Sequence, residues 1–439
     1  MTPTRRELNK TLRLAGPIVA AQLTRTLMST VDTIMVGRLG EAELGAVALG
    51  SAVFMTIMVM MSGVLMALDA LVGRAFGADK PREAGRLLWQ GYWVGLVFGV
   101  IGTPLFFQTE WLGNLLGQQA SVSAAMDSYL SGRAWAVLPL LAFTAQRAAL
   151  SGINLTRIIL LTAVVGNVAN VTFNWMFIFG GLGAPELGVY GAGLATSLSH
   201  LVMAGYAALV IHSPGLRERY ATGFHPPDWQ IINTLLRFGT PLGLHLGLEF
   251  GGFGAAAVLA GWLGETALAA HHVALSLVSV TFRIPLGLSL AASVRVAQEL
   301  GASNAAGAML AGRVGLGLGL AAMVCTATVF TLAATPLVQI FTDEANVIVL
   351  GAALVQMAAF FQLSDGLQVV AAGCLRGTGD TQSSFWANLV GHWGIGLPVG
   401  YWLAFHTSLG PRGLWFGLTV GLTIVGVVLS WRFLRGNWR

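Results

Sequence analysis

The sequence predicts an all-α integral membrane protein with twelve transmembrane helices in two pseudo-symmetric six-helix bundles. Three observations predict this fold class. Apolar residues make up 55% of the 439 residues and charged residues only 10%, which leaves too few charges for a water-facing surface. Apolar stretches of about 20 residues, the length that spans a bilayer, recur along the whole chain. A block near the amino end also recurs 224 positions later.

The recurrence runs through the most apolar parts of the sequence. Leu12–Pro17 aligns with Leu236–Pro241, and Gly37–Glu41 aligns with Gly261–Glu265. Further along the chain the offset becomes 225 residues. A membrane protein with two like halves usually moves a solute between them.

The predicted spans follow in order, six in each half, so we predict two domains, at residues 1–222 and 223–439. The spans centre on residues 24, 58, 98, 137, 168, 200, 246, 283, 320, 360, 394 and 423. Polar residues including Arg25 interrupt the first apolar stretch, which favours a retained span over a cleaved signal peptide. Pro17 and Pro241 occupy matching places in the first and seventh spans, where a missing N–H allows a bend.

Glycines repeat every four residues on three of the predicted spans, where they let helix backbones approach closely. Tight packing is a sufficient explanation on the third and ninth spans. The seventh span differs because its glycines surround an acid, Glu249. The ridges are Gly91, Gly95 and Gly99; Gly243, Gly247 and Gly251; and Gly315 and Gly319.

Basic residues predict the orientation of the chain in the membrane. With both termini in the cytoplasm, 19 of the 24 Lys and Arg lie at cytoplasmic ends or loops, and only Arg38 and Arg412 lie in outer loops. The positive-inside rule favours this arrangement, which accounts for the net charge of +5 without a nucleic-acid partner. We therefore expect a multi-pass protein of the inner cell membrane, surrounded by lipid and monomeric. Since each half has an even number of spans, the repeat is parallel.

Three acids fall inside predicted spans, namely Asp32, Glu249 and Asp365. A carboxylate in mid-bilayer costs roughly 2.5–3.5 kcal/mol on insertion scales, so each needs a reason to be there. The aligned residues in the other half are not acids: Ala256, Arg25 and Leu140. Because the scaffold is duplicated and the acids are not, they are candidates for ion or substrate chemistry, with a buried ion pair as the alternative.

Several stretches resemble one transporter family, the multidrug and toxic compound extrusion (MATE) transporters, in their NorM-like branch. The resemblance covers nearly the entire chain and is carried by Val31–Gly37, Asn170–Trp175, Pro241–Glu249, Ala269–Ala274 and Asp365–Gly373. It implies export of bulky, often cationic and aromatic compounds in exchange for Na⁺ or H⁺. It also implies two bundles that rock about a central cavity.

The resemblance places the functional acids on Asp32, Glu249 and Asp365. It adds Asn174 as a polar neighbour, within the same matching stretch as Asn170. A Na⁺ ion could bind at Glu249 and Asp365, although a carboxylate that binds Na⁺ can also be protonated.

Other polar residues near these acids have open roles. His245 lies one turn before Glu249 and could share its proton. Arg25 stands two turns before Asp32, where this branch has a neutral polar residue, so we hypothesise that it is an internal counter-ion. Phe361 stands one turn before Asp365, where some relatives offer a tyrosine hydroxyl. The partners of Arg133 and Arg283 are not readable from the sequence.

Three other functions were weighed. Gly377–Asp380 has the Gly-x-Gly-Asp pattern of intramembrane aspartyl proteases, but Asp380 falls in a loop and lacks a second aspartate in a Tyr-Asp setting. Neither a zinc-protease helix nor a Walker loop is present in the sequence, so it predicts no enzyme and no cofactor besides a coupling ion. A lipid-linked saccharide flippase, which would hold a pyrophosphate on cavity arginines, stays open. A passive channel would lack strict exchange.

Overall fold

The computed structural model describes residues 2–436 and Trp438, and within them the regular structure is helical. The long helices are apolar around much of their surface, as lipid-facing helices are. The helices up to the middle of the chain are α1 (Pro3–Val36), α2 (Glu41–Met66), α3 (Leu68–Gly77), α4 (Pro81–Gly102), α5 (Glu110–Leu115), α6 (Ala120–Ala134), α7 (Val137–Gly152), α8 (Thr156–Phe179), α9 (Gly188–Ile211) and α10 (Pro214–Tyr220).

The second part of the chain repeats this pattern. A π-helix (Leu389–Gly396) joins α17 to α18, and 3₁₀ turns follow α4 and α8 at Thr103–Phe106 and Gly181–Gly183. The helices are α11 (Trp229–Trp262), α12 (Glu265–Thr281), α13 (Arg283–Gly301), α14 (Ala305–Leu332), α15 (Ala334–Gln339), α16 (Ala345–Thr378), α17 (Gln382–Asn388), α18 (Leu397–His406) and α19 (Pro411–Leu434).

Each predicted span centre falls inside one of these helical elements, which confirms the all-α membrane fold. Three pairs of consecutive helices are separated only by a short turn. The turns are at Ala67 between α2 and α3, at Trp135 and Ala136 between α6 and α7, and at Phe282 between α12 and α13. When α2 joins α3 and α12 joins α13, eight stretches of the described chain are long and apolar enough to cross a membrane.

The chain divides into two compact units, which we describe separately. The first unit is Ala20–Gly243, and the second is Met1–Val19 together with Leu244–Arg439. The predicted halves, 1–222 and 223–439, describe the sequence repeat and stay a prediction. The compact units differ from those halves because two helices are each shared between units.

The shared helices are α1 and α11, and the chain leaves one unit for the other in the middle of each. The division falls after Val19 in α1 and after Gly243 in α11. These positions are 224 residues apart, the offset of the repeat, and each lies two residues beyond the proline inside its helix, Pro17 or Pro241. The exchange of half-helices is therefore itself part of the duplication.

Packing explains why each half-helix belongs to the unit it joins. In the second unit, Glu7 of α1 accepts a hydrogen bond of 2.7 Å from Nη2 of Arg295 on α13, and both side chains are buried. In the first unit, Gly243 of α11 lies against α2, since a methyl group added there would come within 2.5 Å of the Met60 carbonyl oxygen. An ion pair and a glycine contact thus fix the two half-helices.

Corresponding residues pack alike in the two units. Gly91 of α4 and Gly315 of α14 each face two small or branched residues on neighbouring helices. The partners of Gly91 are Leu68 and Ala145, and those of Gly315 are found 224 and 225 positions later, at Ala292 and Val370. The tight packing predicted from the glycine ridges therefore occurs at matching places.

The linker between α10 and α11 is fastened along α4. Side chains of α4 donate hydrogen bonds of 3.0–3.1 Å to linker carbonyls, in the pairs Trp89 to Thr222, Gln90 to Pro226 and Trp93 to His225. Asp228 ends the linker, accepts from the backbone N–H groups of Gln230 and Ile231, and pairs with Arg86. This part of the first unit is held by directional bonds rather than by apolar contact alone.

Candidate functional site: two buried acidic centres

The first acidic centre is built around Asp32, near the end of α1. The Nδ2 atoms of Asn170 and Asn174 donate to Asp32 Oδ1 at 2.9 and 2.6 Å, and Thr196 Oγ1 donates to Oδ2 at 3.3 Å. These three donors are buried. The groups that hold the carboxylate are thus neutral amides and a hydroxyl.

Helical spacing explains how these donors converge. Asn170 and Asn174 are one turn apart on α8, so they share a face, and Nδ2 of Asn174 also contacts Oδ1 of Asn170 at 3.3 Å. Thr196 comes from the adjacent helix α9, where its hydroxyl also contacts the Ala192 carbonyl oxygen at 3.1 Å. Two neighbouring helices therefore present a ready set of donors to the end of α1.

A buried guanidinium stands close to this centre. Arg133 on α6 is only 7% exposed, and it acts electrostatically on Asp32. Its guanidinium carbon lies 4.6 Å from the ring centre of Phe54 and 5.8 Å from that of Tyr129. Tyr129 in turn hydrogen-bonds Ser51 at 2.9 Å. The attraction between the guanidinium and these two aromatic rings therefore offsets part of the free-energy cost of burying the cation.

Arg25 acts electrostatically on His200, a buried histidine one turn after Thr196 on α9. Nδ1 of His200 lies 2.8 Å from the Thr196 carbonyl oxygen, and Arg25 and Arg133 both act electrostatically on the His200 ring. The counter-ion role of Arg25 stays a prediction, and Arg133 joins it as a second cation of this centre. Arg283 begins α13 beside the turn at Phe282, and its role stays open.

The second acidic centre begins with Glu249 and His245, one turn apart on α11. Both side chains are buried, and His245 Nε2 lies 3.6 Å from Glu249 Oε2. The other ring nitrogen of His245, Nδ1, lies 3.1 Å from the Ser384 carbonyl oxygen and 2.9 Å from Nδ2 of Asn388. The imidazole therefore links the acid to the helical segment that leads into the π-helix.

The π-helix brings a second histidine to this centre. His392 is almost fully buried, lies within the electrostatic influence of His245, and packs its ring 6.3 Å from that of Phe253. Gly251 allows a close approach to the π-helix, since a methyl group added there would come within 3.2 Å of Cζ2 in the Trp393 ring, whereas one added at Gly252 would make only an ordinary contact of 3.8 Å with the His392 Cβ. The glycines around Glu249 thus allow α11 and the π-helix to come together, and π-helical turns occur often at functional sites.

Asp365 reaches the same centre from α16. It is buried and lies within the electrostatic influence of Glu249, while the amide of Gln368, one turn further on, faces Glu249. Phe361, one turn earlier, is also fully buried. Its ring centre lies 6.0 Å from that of Phe253 and 5.7 Å from that of Trp415. Phe361 thus belongs to an aromatic cluster beside Asp365.

The second centre has carboxylate oxygens that are not engaged by a donor. In the described residues, Glu249 Oε1 and Asp365 Oδ2 have no hydrogen-bond partner, so they have unused acceptor capacity. Across the same residues, no group of three or more His, Cys, Asp and Glu side chains could hold a metal ion. Binding of Na⁺ at Glu249 and Asp365 stays a prediction.

Sequence reasoning found the acids but missed several of their partners. Asp32 comes together with Asn170 and Asn174, and Glu249 with His245 and Asp365. Three further residues have no distinguishing sequence signal, because Thr, Gln and His often serve as packing residues in apolar helices: Thr196, Gln368 and His392.

Comparison with known proteins identifies the family. The sequence model of the MatE family matches residues 17–176 and 241–402, so the two matched segments begin at the two helix prolines, Pro17 and Pro241. The chain is 36% identical over 440 residues to the probable multidrug resistance protein NorM of Mesorhizobium japonicum, covering 98% of this chain and 94% of that protein. It is 35% identical over 429 residues to the multidrug resistance protein NorM of Burkholderia vietnamiensis, covering 96% and 93%.

A solved structure has the same fold. The crystal structure of the eukaryotic MATE transporter AtDTX14 superposes with a TM-score of 0.90 at 23% identity, covering 100% of this chain and 97% of that chain. Transporters of this family are not enzymes, and they use coupling ions rather than cofactors. The chain is a multi-pass multidrug efflux transporter that belongs to the MATE family, in its NorM-like branch.

Proposed function

We propose that this transporter exports bulky, cationic aromatic compounds across the inner membrane in exchange for H⁺ or Na⁺, by alternating access. The observation that carries the proposal is the pair of acidic centres, one in each compact unit. At Asp32 the carboxylate is held by neutral donors, and at Glu249 and Asp365 two acids share one buried site. A lipophilic cation is attracted to such groups while they are charged.

Exchange then follows from competition for negative charge. When a coupling ion occupies the carboxylates, their attraction for a cationic substrate falls, and the substrate leaves. An ion gradient can drive this cycle, since each charge that moves through 100 mV releases about 2.3 kcal/mol. The energy of the gradient is thereby converted into outward transport.

The geometry around His245 favours H⁺ as the coupling ion. Before proton uptake, Nδ1 can accept from the Asn388 amide, so that Nε2 carries the ring proton toward the Glu249 carboxylate. After one proton is added, Nδ1 can instead donate to the Ser384 carbonyl oxygen, and Nε2 then accepts from a protonated Glu249. The two Nδ1 contacts measure 2.9 and 3.1 Å, and the 3.6 Å separation of Nε2 from Glu249 Oε2 must shorten for the proton to be shared. Imidazole nitrogen suits Na⁺ less well, because hard cations prefer oxygen ligands.

Efflux of a fluorescent cationic dye, such as ethidium, from proteoliposomes tests this proposal. H⁺ and Na⁺ gradients are imposed separately on the wild type and on Glu249→Gln and Asp365→Asn, with the exposed acid variant Asp343→Asn as control. We expect efflux that follows the H⁺ gradient, disappears in the first two variants and persists in the control.

Other results would overturn parts of the proposal. Efflux driven by the Na⁺ gradient alone would assign Na⁺ to Glu249 and Asp365. Dye flux without either gradient would indicate a channel. An absence of dye movement under both gradients would favour a flippase for lipid-linked saccharides, for which the buried guanidinium of Arg133 offers a phosphate contact.

A further inference from the structure

A groove of about 470 Å³ opens between α19 and the segment formed by α17 and the start of the π-helix, within the second unit. Its floor is apolar and includes Val390, Val425 and Val428, while its polar end is formed by Asp380, Ser383 and Arg432. It does not include the acidic centres. The groove therefore combines an apolar channel with a charged end.

The apolar part of the groove faces the surroundings of the helices. Val390 is 53% exposed and Val428 is 43% exposed, and Trp386 on the same wall is 59% exposed. In a protein whose helices cross a bilayer, exposed apolar side chains on those helices contact hydrocarbon. An acyl chain is the natural occupant of such a floor.

The polar end carries a guanidinium with unused donors. Arg432 Nε donates to Asp380 Oδ2 at 2.7 Å, and Asp380 also accepts from the backbone N–H and the hydroxyl of Ser383 at 3.1 and 2.8 Å. A guanidinium has five N–H donors, and the Arg432 side chain is 52% exposed. Its two terminal amino groups can therefore donate hydrogen bonds to a phosphate while Nε keeps its hydrogen bond to Asp380.

Neighbouring residues place this end at the level of lipid headgroups. Trp431 is exposed, and the guanidinium carbon of Arg435 lies 3.7 Å above its ring centre. Tryptophan and arginine gather where hydrocarbon meets water. Two arginines against the single carboxylate of Asp380 leave this end with a positive charge.

We propose that this groove binds an anionic phospholipid from the adjoining leaflet, with its phosphate on Arg432 and one acyl chain along the apolar floor. A headgroup without a compensating cation complements the positive end, whereas the choline of phosphatidylcholine would offset its phosphate. On the predicted orientation, this leaflet is the cytoplasmic one. The lining of the groove does not include the carboxylates of the two acidic centres.

Native mass spectrometry of the purified full-length protein tests the site, with dioleoyl phosphatidylglycerol or dioleoyl phosphatidylcholine titrated into detergent. We expect tighter binding of phosphatidylglycerol, weakened about fivefold in Arg432→Gln, since one basic residue near an anionic surface is worth about that factor. Arg412→Gln, at the opposite end of α19, is the matched control and should bind as the wild type does.

The variant Asp380→Asn separates lipid binding from a structural role of the ion pair. Asparagine keeps an acceptor for Ser383 and removes the charge that competes for Arg432, so it should strengthen phosphatidylglycerol binding. If Asp380→Asn and Arg432→Gln weaken binding equally, the pair is structural and the proposal is wrong. Equal binding of the two lipids to the wild type, or an unchanged Arg432→Gln, would also overturn it. Thermal unfolding in lipid-free detergent shows that each variant is folded.

Discussion

At the scale of single residues, the two acidic centres bury carboxylates with different sets of partners. Asp32 is held by amides and a hydroxyl, and its cation, Arg133, is supported by aromatic rings. Glu249 faces an imidazole, an amide and a second acid. The second arrangement places an imidazole nitrogen, His245 Nε2, 3.6 Å from its carboxylate. The two centres therefore surround their carboxylates with different polar groups.

The shortest bond to Asp32 gives a test of the first centre. Asn174→Ala removes the 2.6 Å contact to Oδ1, and a hydrogen bond to a charged group is worth about 1.5–3 kcal/mol. We expect dye efflux under the driving gradient to fall roughly tenfold. Thr172→Ala, which loses only an exposed hydroxyl bonded to its own helix, should transport normally. Unchanged efflux in Asn174→Ala would exclude this role for the amide.

The residues that sequence reasoning missed share one physical feature. Asp32, Glu249 and Asp365 could be found because a carboxylate in an apolar helix is costly wherever the helix packs. Thr196 and His392 carry no such cost in a helix, and their roles arise only from partners far away along the chain. Contacts between residues that are distant in the sequence cannot be read from the local pattern of apolar and polar residues.

At the scale of elements, glycine sets how closely helices approach. Gly417 of α19 lies against Gly400 of α18 and Gly396 of the π-helix, and a methyl group added at Gly417 would overlap the backbone of both. By contrast, Gly317 of α14 has nothing within 4 Å of its added methyl group. The same residue type is therefore a packing requirement in one helix and dispensable in another.

This difference predicts opposite effects of one substitution. Gly417→Ala should lower the free energy of unfolding by about 1–3 kcal/mol through overpacking. Gly317→Ala should leave it unchanged or raise it by about 0.4–1 kcal/mol, because alanine has less backbone entropy to lose. Thermal unfolding in detergent measures both. Equal stability of the two variants would show that α18 can move aside.

The linker between α10 and α11 gives a pH prediction. The backbone N–H of Ile231, then that of Gln230, and the Arg86 guanidinium lower the pKa of the Asp228 carboxyl below its ordinary value of 3.8. A lowered folded-state pKa means that the carboxylate stabilises the linker fully above pH 3.8, and that this contribution is lost as the pH falls through the lower value. Pepsin cleavage within the linker should therefore increase over that range.

The variant Asp228→Asn isolates this effect. It cannot gain or lose the proton, so its linker should be cleaved at a rate without the additional rise below pH 3.8. Peptide mapping by mass spectrometry distinguishes linker cuts from cuts elsewhere. A wild type and variant with the same pH profile would assign the linker's stability to the bonds from Trp89, Gln90 and Trp93 alone.

At the scale of the whole molecule, length and periodicity predicted the fold well. Twelve apolar stretches and one repeat were sufficient because the bilayer forces each backbone segment to satisfy its own hydrogen bonds. The breaks at Ala67 and Phe282 were not predictable, since neither residue is a glycine or a proline, the usual sequence signals of a helix break. The assignment of half-helices to units was not predictable either, because it depends on contacts such as Glu7 with Arg295.

The shared helices α1 and α11 bear on how such a chain could have arisen. Consider a polypeptide of half this length that packs as either unit does. Its own first half-helix would not pack in its own core, because in each unit that place is taken by the half-helix of the other repeat. It could complete its core only by taking that segment from a second copy, which is the arrangement of a domain-swapped dimer. Joining two such copies end to end makes the exchange intramolecular and permanent. Gene fusion would then have preserved, within one chain, an exchange of half-helices that first took place between two subunits.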